Sequence, residues 1–307
     1  MKYKLIKILL IFFVSVIIIS GFLFLSKNTD RFLEIDFLDV GQGDAILVIT
    51  PENQTMLIDG GPNNIVLQKL GKYLPMLEKR IDIVLLTHPH ADHVAGLVEV
   101  LKRYNVGAVI LSGVELKTEV YSEFLKITLE KNVPIIIAEA GQAIHFDENL
   151  EFDILAGVDG GEKVFNKNSE GFGVRGNDVN DASIVGKLIF SAKGGSASGG
   201  KDFSVIFMGD ATSKIENQLL AYGENLESDI LKAGHHGSKY SSSLLFLKFV
   251  SPKAAVIEVG AKNRYGHPTE ATLSRLKMIN ANIFRTDQNG DIRVLSDGFT
   301  TNIYKEK

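Results

Sequence analysis

The sequence predicts an α/β fold, and three observations support this. From residue 32 onward, runs of β-branched and apolar residues alternate with stretches of helical periodicity. A wholly apolar strand pattern, Ile83–Leu86, leads directly into a histidine-rich segment that begins at His88. The chain has 307 residues, 45% of them apolar, which is enough to bury a large core. We therefore expect one α/β domain over residues 31–307, preceded by a separate segment over residues 1–30.

The N-terminal segment has the character of a membrane anchor. No charged residue occurs from Ile8 to Leu25, and as a helix this run would span about 27 Å, close to the thickness of the hydrocarbon layer of a bilayer. The preceding lysines are expected to stay cytoplasmic, which places the domain outside the cell as a single-pass membrane protein. A cleaved secretory signal, which would yield a secreted protein, usually has an apolar core of only about 7–15 residues and an A-x-A-like site.

The individual elements follow in order along the chain. Strands are predicted over Phe32–Leu38, Ala45–Thr50, Thr55–Ile58, Ile83–Leu86, Val109–Leu111, Pro134–Ala138, Ser183–Phe190, Phe203–Met208, Ser228–Leu231 and Ala254–Val259, and near Asn282 and Ile292. Helices are predicted over Asn64–Tyr73, Val94–Tyr104, Ser122–Lys131, Lys214–Tyr222, Ser243–Phe249 and Thr269–Met278. Two glycine-rich segments interrupt this alternation, and we interpret Gly157–Asn177 as an insertion and Gly194–Gly200 as a hairpin turn.

Composition limits the chemistry that the domain can perform. The net charge of −4 provides no electropositive excess of the kind that accompanies obligatory binding to duplex nucleic acid. The sequence contains no cysteine, which excludes disulfides, thiolate ligands and thiol nucleophiles. A metal ion must therefore be held by histidine, aspartate, glutamate, backbone or water.

The strongest chemical signal is a cluster of four potential ligands within six residues: His88, His90, Asp92 and His93. A tight loop can direct His88 and His90 to one metal ion while Asp92 and His93 face a second. Zinc is the expected ion, because it accepts imidazole and carboxylate together, although manganese or iron also tolerates such a set. The alternative is an exposed loop with incidental metal affinity, and the apolar residues that continue into a packed helix argue against it.

The segment Thr87–Leu97 resembles the best-known motif of the metallo-β-lactamase superfamily, and other matches follow in the family's order. Asp59-Gly60-Gly61 follows one strand pattern, and Gly209-Asp210-Ala211 follows another. The resemblance implies an αββα sandwich with two metal ions at one edge of the sheets. It also implies that Asp210 bridges them, since a carboxylate has two oxygens to offer. A turn aspartate that caps a helix is the alternative for Asp210.

Further motifs are similar to those of the extracytoplasmic domain of ComEC-type competence proteins. They are Phe37–Ala45, Asn180–Ser183, Leu231–Ser238 and Asn263–Pro268. In the ComEC type this domain is joined to a multi-spanning channel, whereas the present sequence has one apolar segment. The resemblance therefore implies the hydrolytic site and not the transport role.

The remaining ligands are less sharply defined by the sequence. One of His235 and His236 is expected to bind the second metal, with His236 favoured, while the other faces the substrate or a ligand. His267 is either a last ligand or a donor to a substrate oxyanion, with a structural loop histidine as the alternative. Asn180 stands where many family members supply a third histidine to the first metal, so that ion can be incompletely coordinated. His145 is interpreted as structural.

Several residues are expected to orient the ligand histidines by hydrogen bonds. Four polar residues at predicted strand ends are candidates for hydrogen bonds to the ligand histidines, with Asp59 the best of them: Asp39, Gln42, Asp44 and Asp59. Two glycines between these residues, Gly41 and Gly43, would allow a close approach of the backbone to the site or would permit a β-bulge.

The functional hypothesis is a metal-dependent hydrolase in which a metal-activated water attacks an ester, most plausibly a phosphodiester or DNA. The expected catalytic residues are Asp210, Asp92, His267 and Asn180, with His267 or Asn180 stabilising charge on the developing transition state. A phosphorylcholine-type esterase of the same fold is the alternative enzyme. A surface binding module with a non-catalytic metal site is the alternative of another class.

Overall fold

Two β-sheets pack face to face and carry helices on their outer faces, so the expected αββα sandwich is confirmed. The structure is a computed structural model that describes Tyr3, Ser20 and residues 12–17, 32–75, 78–157, 179–191, 202–223 and 225–307. Apolar residues of both sheets form the central core, in which the rings of Phe37 and Phe207 stack across the interface with centroids 6.3 Å apart.

Within the described residues, the first sheet has eight strands. They are β1 Leu33–Phe37, β2 Ile46–Ile49, β3 Thr55–Ile58, β4 Arg80–Leu86, β5 Asn105–Leu111, β6 Ile135–Ile137, β14 Ile292–Ser296 and β15 Thr301–Lys305. Their order across the sheet is β15-β14-β1-β2-β3-β4-β5-β6. Strands β3 to β6 are parallel, so their carboxyl ends lie at the same edge.

The second sheet has seven strands in the part of the chain that the structure describes. They are β7 Ala143–His145, β8 Leu150–Ala156, β9 Val185–Phe190, β10 Phe203–Phe207, β11 Ile230–Lys232, β12 Ala254–Ile257 and β13 Asn282–Arg285. Their order is β13-β12-β11-β10-β9-β8-β7. Strands β10 to β13 are parallel and β9 is antiparallel to β10, so β9 begins at the edge where the parallel strands end.

The helices cover the outer faces with apolar stripes. Helices α1 Ile65–Tyr73, α2 Ala91–Arg103 and α3 Glu119–Glu130 pack on the first sheet. Helices α4 Ser213–Tyr222, α5 Leu244–Val250 and α6 Glu270–Met278 pack on the second sheet. A single helical turn, α7 Thr286–Asn289, and the short 3-10 helices Asn180–Ala182 and Gly234–Gly237 complete the set within the described residues.

Most predicted elements are confirmed, with one correction that concerns the ligands. Helix α2 begins at Ala91, three residues before the predicted start, because His90 has extended backbone angles (φ −67°, ψ 151°) and occupies the N-cap position. Asp92 and His93 therefore lie in the first helical turn and not on a loop. The sequence analysis did not identify strands β8 and β15.

Some predictions fall on residues that the structure does not describe. Most of Ile8–Leu25, the predicted anchor, lies outside the described residues. So do the insertion Gly157–Asn177, apart from Gly157 itself, and the turn Gly194–Gly200. Among the helices that are described, none is both long and apolar enough to cross a membrane.

Gly96 holds helix α2 against the connection that follows β3. Its amide donates to the carbonyl of Gly61 at 2.9 Å, and a Cβ on Gly96 would lie 1.8 Å from the carbonyl oxygen of Gly60. This contact is a steric clash with a backbone atom, and it can be relieved only if the connection after β3 moves. The ligand-bearing helix is thereby fixed to the neighbouring strand.

We expect Gly96→Ala to destabilise the fold by about 2–4 kcal/mol, although alanine is the better helix former. The matched control is Gly71→Ala in helix α1, where an added Cβ meets no atom within 4 Å, and where a gain of up to about 1 kcal/mol is expected. Urea unfolding of the two variants measures both effects. Equal stability of the two variants would contradict the proposed close packing.

Candidate metal centre

The candidate site forms where the carboxyl ends of parallel strands from both sheets meet. His88 follows β4 and Asp59 follows β3, whereas Asp210 follows β10 and the pair His235 and His236 follows β11. Residues that are distant along the chain converge because the ends of parallel strands share an edge and the two sheets are packed face to face.

Asp59 connects two segments that carry ligands. Its carboxylate accepts hydrogen bonds from the amide and hydroxyl of Thr87 at 2.8 and 2.7 Å. The same carboxylate lies 2.7 Å from Nδ1 of His93, which leaves Nε2 of His93 facing Asp210 at 3.6 Å. The expected hydrogen bond between Asp59 and one of the predicted ligand histidines is confirmed.

The structure distinguishes His236 from His235. His236 is buried, donates from Nδ1 to the carbonyl of Glu258 at 2.9 Å, and points Nε2 at Asp92 (3.3 Å) and Asp210 (3.7 Å). His235 is partly exposed and places Nε2 3.7 Å from Asp210. Both residues have positive φ angles, 47° and 51°, and this local kink turns the adjacent rings to different sides of the site.

Four overlapping groups of ligand atoms lie here, each with its atoms within 4.8 Å of one another. They are His88, His93 and Asp210; Asp92, His93 and His236; Asp44, Asp59 and His93; and Asp44, Asp210 and His236. Within them, Nε2 of His93, Nε2 of His236 and Oδ1 of Asp210 are buried and have no hydrogen-bond partner. Such orphaned atoms are costly unless they coordinate a cation. The donor set of imidazole and carboxylate fits zinc, manganese or iron.

The electrostatics of the site favour positive charge. Burial opposes ionisation of Asp210, but His236 and His93 outweigh it and hold the pKa of that carboxyl well below its usual range. Burial likewise disfavours a charged His236, yet Asp210 and Asp44 raise the pKa of His236 to about 10. These opposite shifts mean that carboxylates stay ionised and cations are stabilised between them.

The other predicted residues surround a cavity of about 340 Å³ that opens onto the ligand groups. Its lining includes His90, His235, His267 and Asn180 together with Asp92, Asp210 and His236. His90 belongs to none of the ligand groups found among the described residues, and its Nδ1 lies 3.1 Å from Nε2 of His88. Every residue predicted to act in the site is therefore near it, but the structure does not group His88 with His90.

Gly43 accounts for the close approach expected of the segment Gly41–Gly43. A Cβ at Gly43 would lie 2.1 Å from the carbonyl oxygen of Asp92, and the φ angle of Gly43 is +144°. Only glycine permits this contact between the β1–β2 connection and the first turn of helix α2. Replacement of Gly43 would thus displace Asp92 directly.

Comparisons with known proteins agree with this architecture. A family model described as "Metallo-beta-lactamase superfamily" matches residues 38–163, a range that contains the histidine cluster. ComE operon protein 3 of Bacillus subtilis (strain 168) is 28% identical over 279 residues, which is 85% of this chain and 32% of that protein. Competence protein ComA of Neisseria gonorrhoeae is 32% identical over 260 residues, covering 83% of this chain and 31% of that protein.

Residues 38–163 are thus similar to the metallo-β-lactamase superfamily, and the curated relatives that align with most of this chain are competence proteins. The chain spans about a third of the length of the curated relatives it matches. Among solved structures, a diphosphatase from the PhnP family aligns with a TM-score of 0.46 and 14% identity, over 86% of this chain and 99% of the other.

Asp39 and Gln42 were both expected to hydrogen-bond to the ligand histidines. Asp39 does not contact the ligand histidines: its amide donates to Asp291 at 2.9 Å and its carboxylate faces Lys307 at 3.5 Å. This expectation was wrong, because the chain turns after β1 and Asp39 lies on the side of the β14–β15 edge. Gln42 lines the cavity and accepts a hydrogen bond from the amide of Gly260.

Sequence reasoning missed two buried charged residues behind the candidate ligands, Lys232 and Glu258. Each stands at the end of an otherwise apolar strand pattern, Ile230–Lys232 and Ala254–Ile257. A charged residue at the end of a buried strand is itself a signal, since its burial requires a partner. Neither partner is close in sequence, so the pattern alone could not name it.

Proposed function

We propose that this chain is a metal-dependent hydrolase that acts on phosphodiesters, with nucleic acid as the substrate class. The observation behind the proposal is the set of orphaned, buried atoms of His93, His236 and Asp210, which converge at the floor of an open cavity. A purely structural cluster would satisfy these atoms with hydrogen bonds. The match of residues 38–163 to the metallo-β-lactamase superfamily supports the general class of reaction.

Two divalent ions would be held by overlapping sets of residues. His88 and Asp210 would form one set, with His90 beside it, and Asp92, His93 and His236 would form the other, because Nδ1 of His93 is held by Asp59 and its Nε2 can serve one ion only. Asp210 faces both sets, since its Oδ2 lies 3.8 Å from His88 and 3.7 Å from His236, and its Oδ1 lies 3.6 Å from His93. When bound, the ions supply Lewis-acid activation of water near neutral pH, and zinc or manganese suits the donor set.

The residues at the cavity wall would act on the substrate. Burial and the neighbouring His235 lower the pKa of His267 to about 4, so His267 is neutral near pH 7 and offers one ring N–H as a hydrogen-bond donor. Asn180, in the 3-10 helix that precedes β9, also lines the cavity. We assign these two side chains to the stabilisation of negative charge as it develops on the phosphoryl oxygens.

The rim of the cavity supports a polyanionic substrate over a phosphorylcholine ester. Tyr265 is 69% exposed, lines the cavity and stacks on His267 with ring centroids 5.9 Å apart. Lys262 and Arg264, in the same loop, are exposed. Cationic side chains on the loop that carries Tyr265 would repel a choline head group and attract a phosphate backbone, while the tyrosine ring offers a surface for a base.

The loop that presents Tyr265 is held in place by one side chain. Asn263 donates to the carbonyls of Gly260 and His267, both at 2.8 Å, and accepts from the amides of Tyr265 and His267. A stacking residue on a fixed loop loses little conformational entropy when a base binds.

We expect Tyr265→Leu to raise KM for a single-stranded oligonucleotide about tenfold, because stacking of a base on an aromatic ring is worth about 1–3 kcal/mol. Hydrolysis of bis-p-nitrophenyl phosphate, which carries no base, should change little. Tyr265→Phe keeps the ring and should behave as the unmodified chain. Tyr240→Leu is the matched control, since Tyr240 is 63% exposed but does not line the cavity. Equal effects of Tyr265→Leu and Tyr240→Leu would exclude the stacking role.

The proposed activity can be tested with the full chain purified in detergent. Metal content is measured first, and the protein is then assayed with bis-p-nitrophenyl phosphate, phosphorylcholine esters and single-stranded DNA in added zinc or manganese. We expect phosphodiester hydrolysis that is abolished by a chelator and restored by metal. Turnover of phosphorylcholine esters alone would favour the esterase, and full metal occupancy without any turnover would identify a binding module.

We also propose that the domain acts outside the cell, tethered to the membrane by the apolar segment Ile8–Leu25. Support comes from the length of this segment and from the lysines that precede it. Protease treatment of intact cells should remove the domain from a membrane-bound chain. A domain that stays protected until the cells are lysed would refute the proposed orientation.

A further inference from the structure

A buried ionic cluster lies behind the candidate metal centre and joins the two sheets. Lys232, the last residue of β11, is fully buried, and its ammonium contacts the carboxylate of Asp44 on the β1–β2 connection. The same ammonium donates to the carbonyl of Gly209 at 3.3 Å, directly before Asp210. Glu258, after β12, accepts from the amide of Ala45 at 3.0 Å.

Burial and the neighbouring charges act on the pKa values of Lys232 and Glu258. Burial disfavours a charged lysine, but Asp44, Glu258 and Asp210 outweigh it and raise the pKa of Lys232. Burial and the charge of Asp44 raise the pKa of Glu258 well above its usual range. The cation in contact with Asp44 is Lys232.

Asp44 is close enough to the site to compete as a ligand. Its Oδ1 lies 3.2 Å from Nδ1 of His236 and is buried without a hydrogen bond. One of the ligand groups contains Asp44, Asp210 and His236, and it shares His236 with the group of Asp92, His93 and His236. The chain thus offers His236 two alternative sets of partners, and one of them contains a carboxylate that is also paired with a lysine.

We propose that Lys232 is a positioning residue that keeps Asp44 out of the coordination sphere, so that a metal ion on His236 is completed by Asp92 and His93. The contact with Lys232 occupies Oδ2 of Asp44 and neutralises the charge of the carboxylate. The other oxygen, Oδ1, then lies beside Nδ1 of His236 and not beside Nε2, the nitrogen that faces the proposed ion. The inference rests on the metal centre of the proposed function. It adds the reason why one of two overlapping ligand sets is selected.

Cobalt(II) spectroscopy tests this role without relying on activity. The full chain is loaded with Co(II), and the visible absorption of the unmodified chain is compared with that of Lys232→Met and Lys232→Gln. We expect the band intensity to fall about twofold or more in both variants, because an additional carboxylate raises the coordination number and lowers the absorptivity. Adding Asp44→Asn to Lys232→Met should restore the original spectrum, since the amide is a poor ligand.

The double variant also protects the test against misfolding. Removing both charges of a buried pair is far less damaging than removing one, and Lys232→Gln keeps a polar side chain of comparable size while it removes the charge that holds Asp44. An unchanged spectrum in both single variants, or a changed one that Asp44→Asn does not restore, would overturn the proposal. Loss of folded protein in both single variants, seen by circular dichroism, would also overturn it, because Lys232 would then be purely structural. Failure of the unmodified chain to bind Co(II) would instead defeat the metal centre and the proposed function.

Discussion

Asp210→Asn is expected to lower kcat for phosphodiester hydrolysis by about three orders of magnitude or more. The residue faces His88, His93, His235 and His236 at 3.6–3.8 Å, and its carboxylate is the one shared by both proposed ion positions. An amide keeps the shape but loses the charge, and a loss of about 4 kcal/mol in transition-state stabilisation corresponds to about 10³-fold in rate. The backbone amide of Asp210, which donates to the hydroxyl of Ser183, is unaffected.

The control for this variant is Asp229→Asn, at the opposite end of the same sheet. Asp229 accepts from the amide of Ser204 and from Lys253, far from the ligand edge. It tests whether the loss of any partly buried carboxylate impairs activity through stability alone. Steady-state kinetics and metal analysis are measured for both variants. If Asp210→Asn retains more than about a tenth of the activity, the bridging role is wrong.

The second large effect is expected at His236 and not at its neighbour. His236→Ala should lose one equivalent of metal and about 10³-fold in kcat, because Nε2 of His236 faces Asp92 and Asp210 from a fully buried position. His235→Ala should retain both metals, since the ring of His235 lies at the cavity wall, and should lose about 10–100-fold in kcat, as for a residue beside the ligands.

These two substitutions are well matched. Both histidines have positive φ angles near 50°, so alanine imposes a similar backbone strain at either position. Any difference between the variants therefore reports the direction of the side chains. Metal content after gel filtration separates the outcomes. If His235→Ala loses metal while His236→Ala keeps full occupancy, His235 is the ligand and His236 is not.

The site assignments divide according to how far each depended on local sequence. His88, Asp92 and His93 lie within six residues, directly after an apolar strand pattern, so their proximity follows from local geometry. Asp210 could be named because it follows a strand and because the family places its bridging aspartate there. Asp39 was assigned wrongly, because a polar residue at a strand end can turn to either side, and its partner Asp291 is 252 positions away.

From sequence alone, the alternation of strand and helix patterns determined the fold class, and the histidine cluster with the family motifs determined the edge at which the site lies. The fold class follows from periodicity and the cluster from spacing, which are local properties of the chain, whereas the edge is what the family resemblance implies. Tertiary structure alone decided that Nε2 of His236 faces Asp92 and Asp210, that Lys232 pairs with Asp44, and that Nδ1 of His93 contacts Asp59. Each of these depends on a backbone kink or on a contact between the two sheets, and such contacts exist only after distant strands have paired.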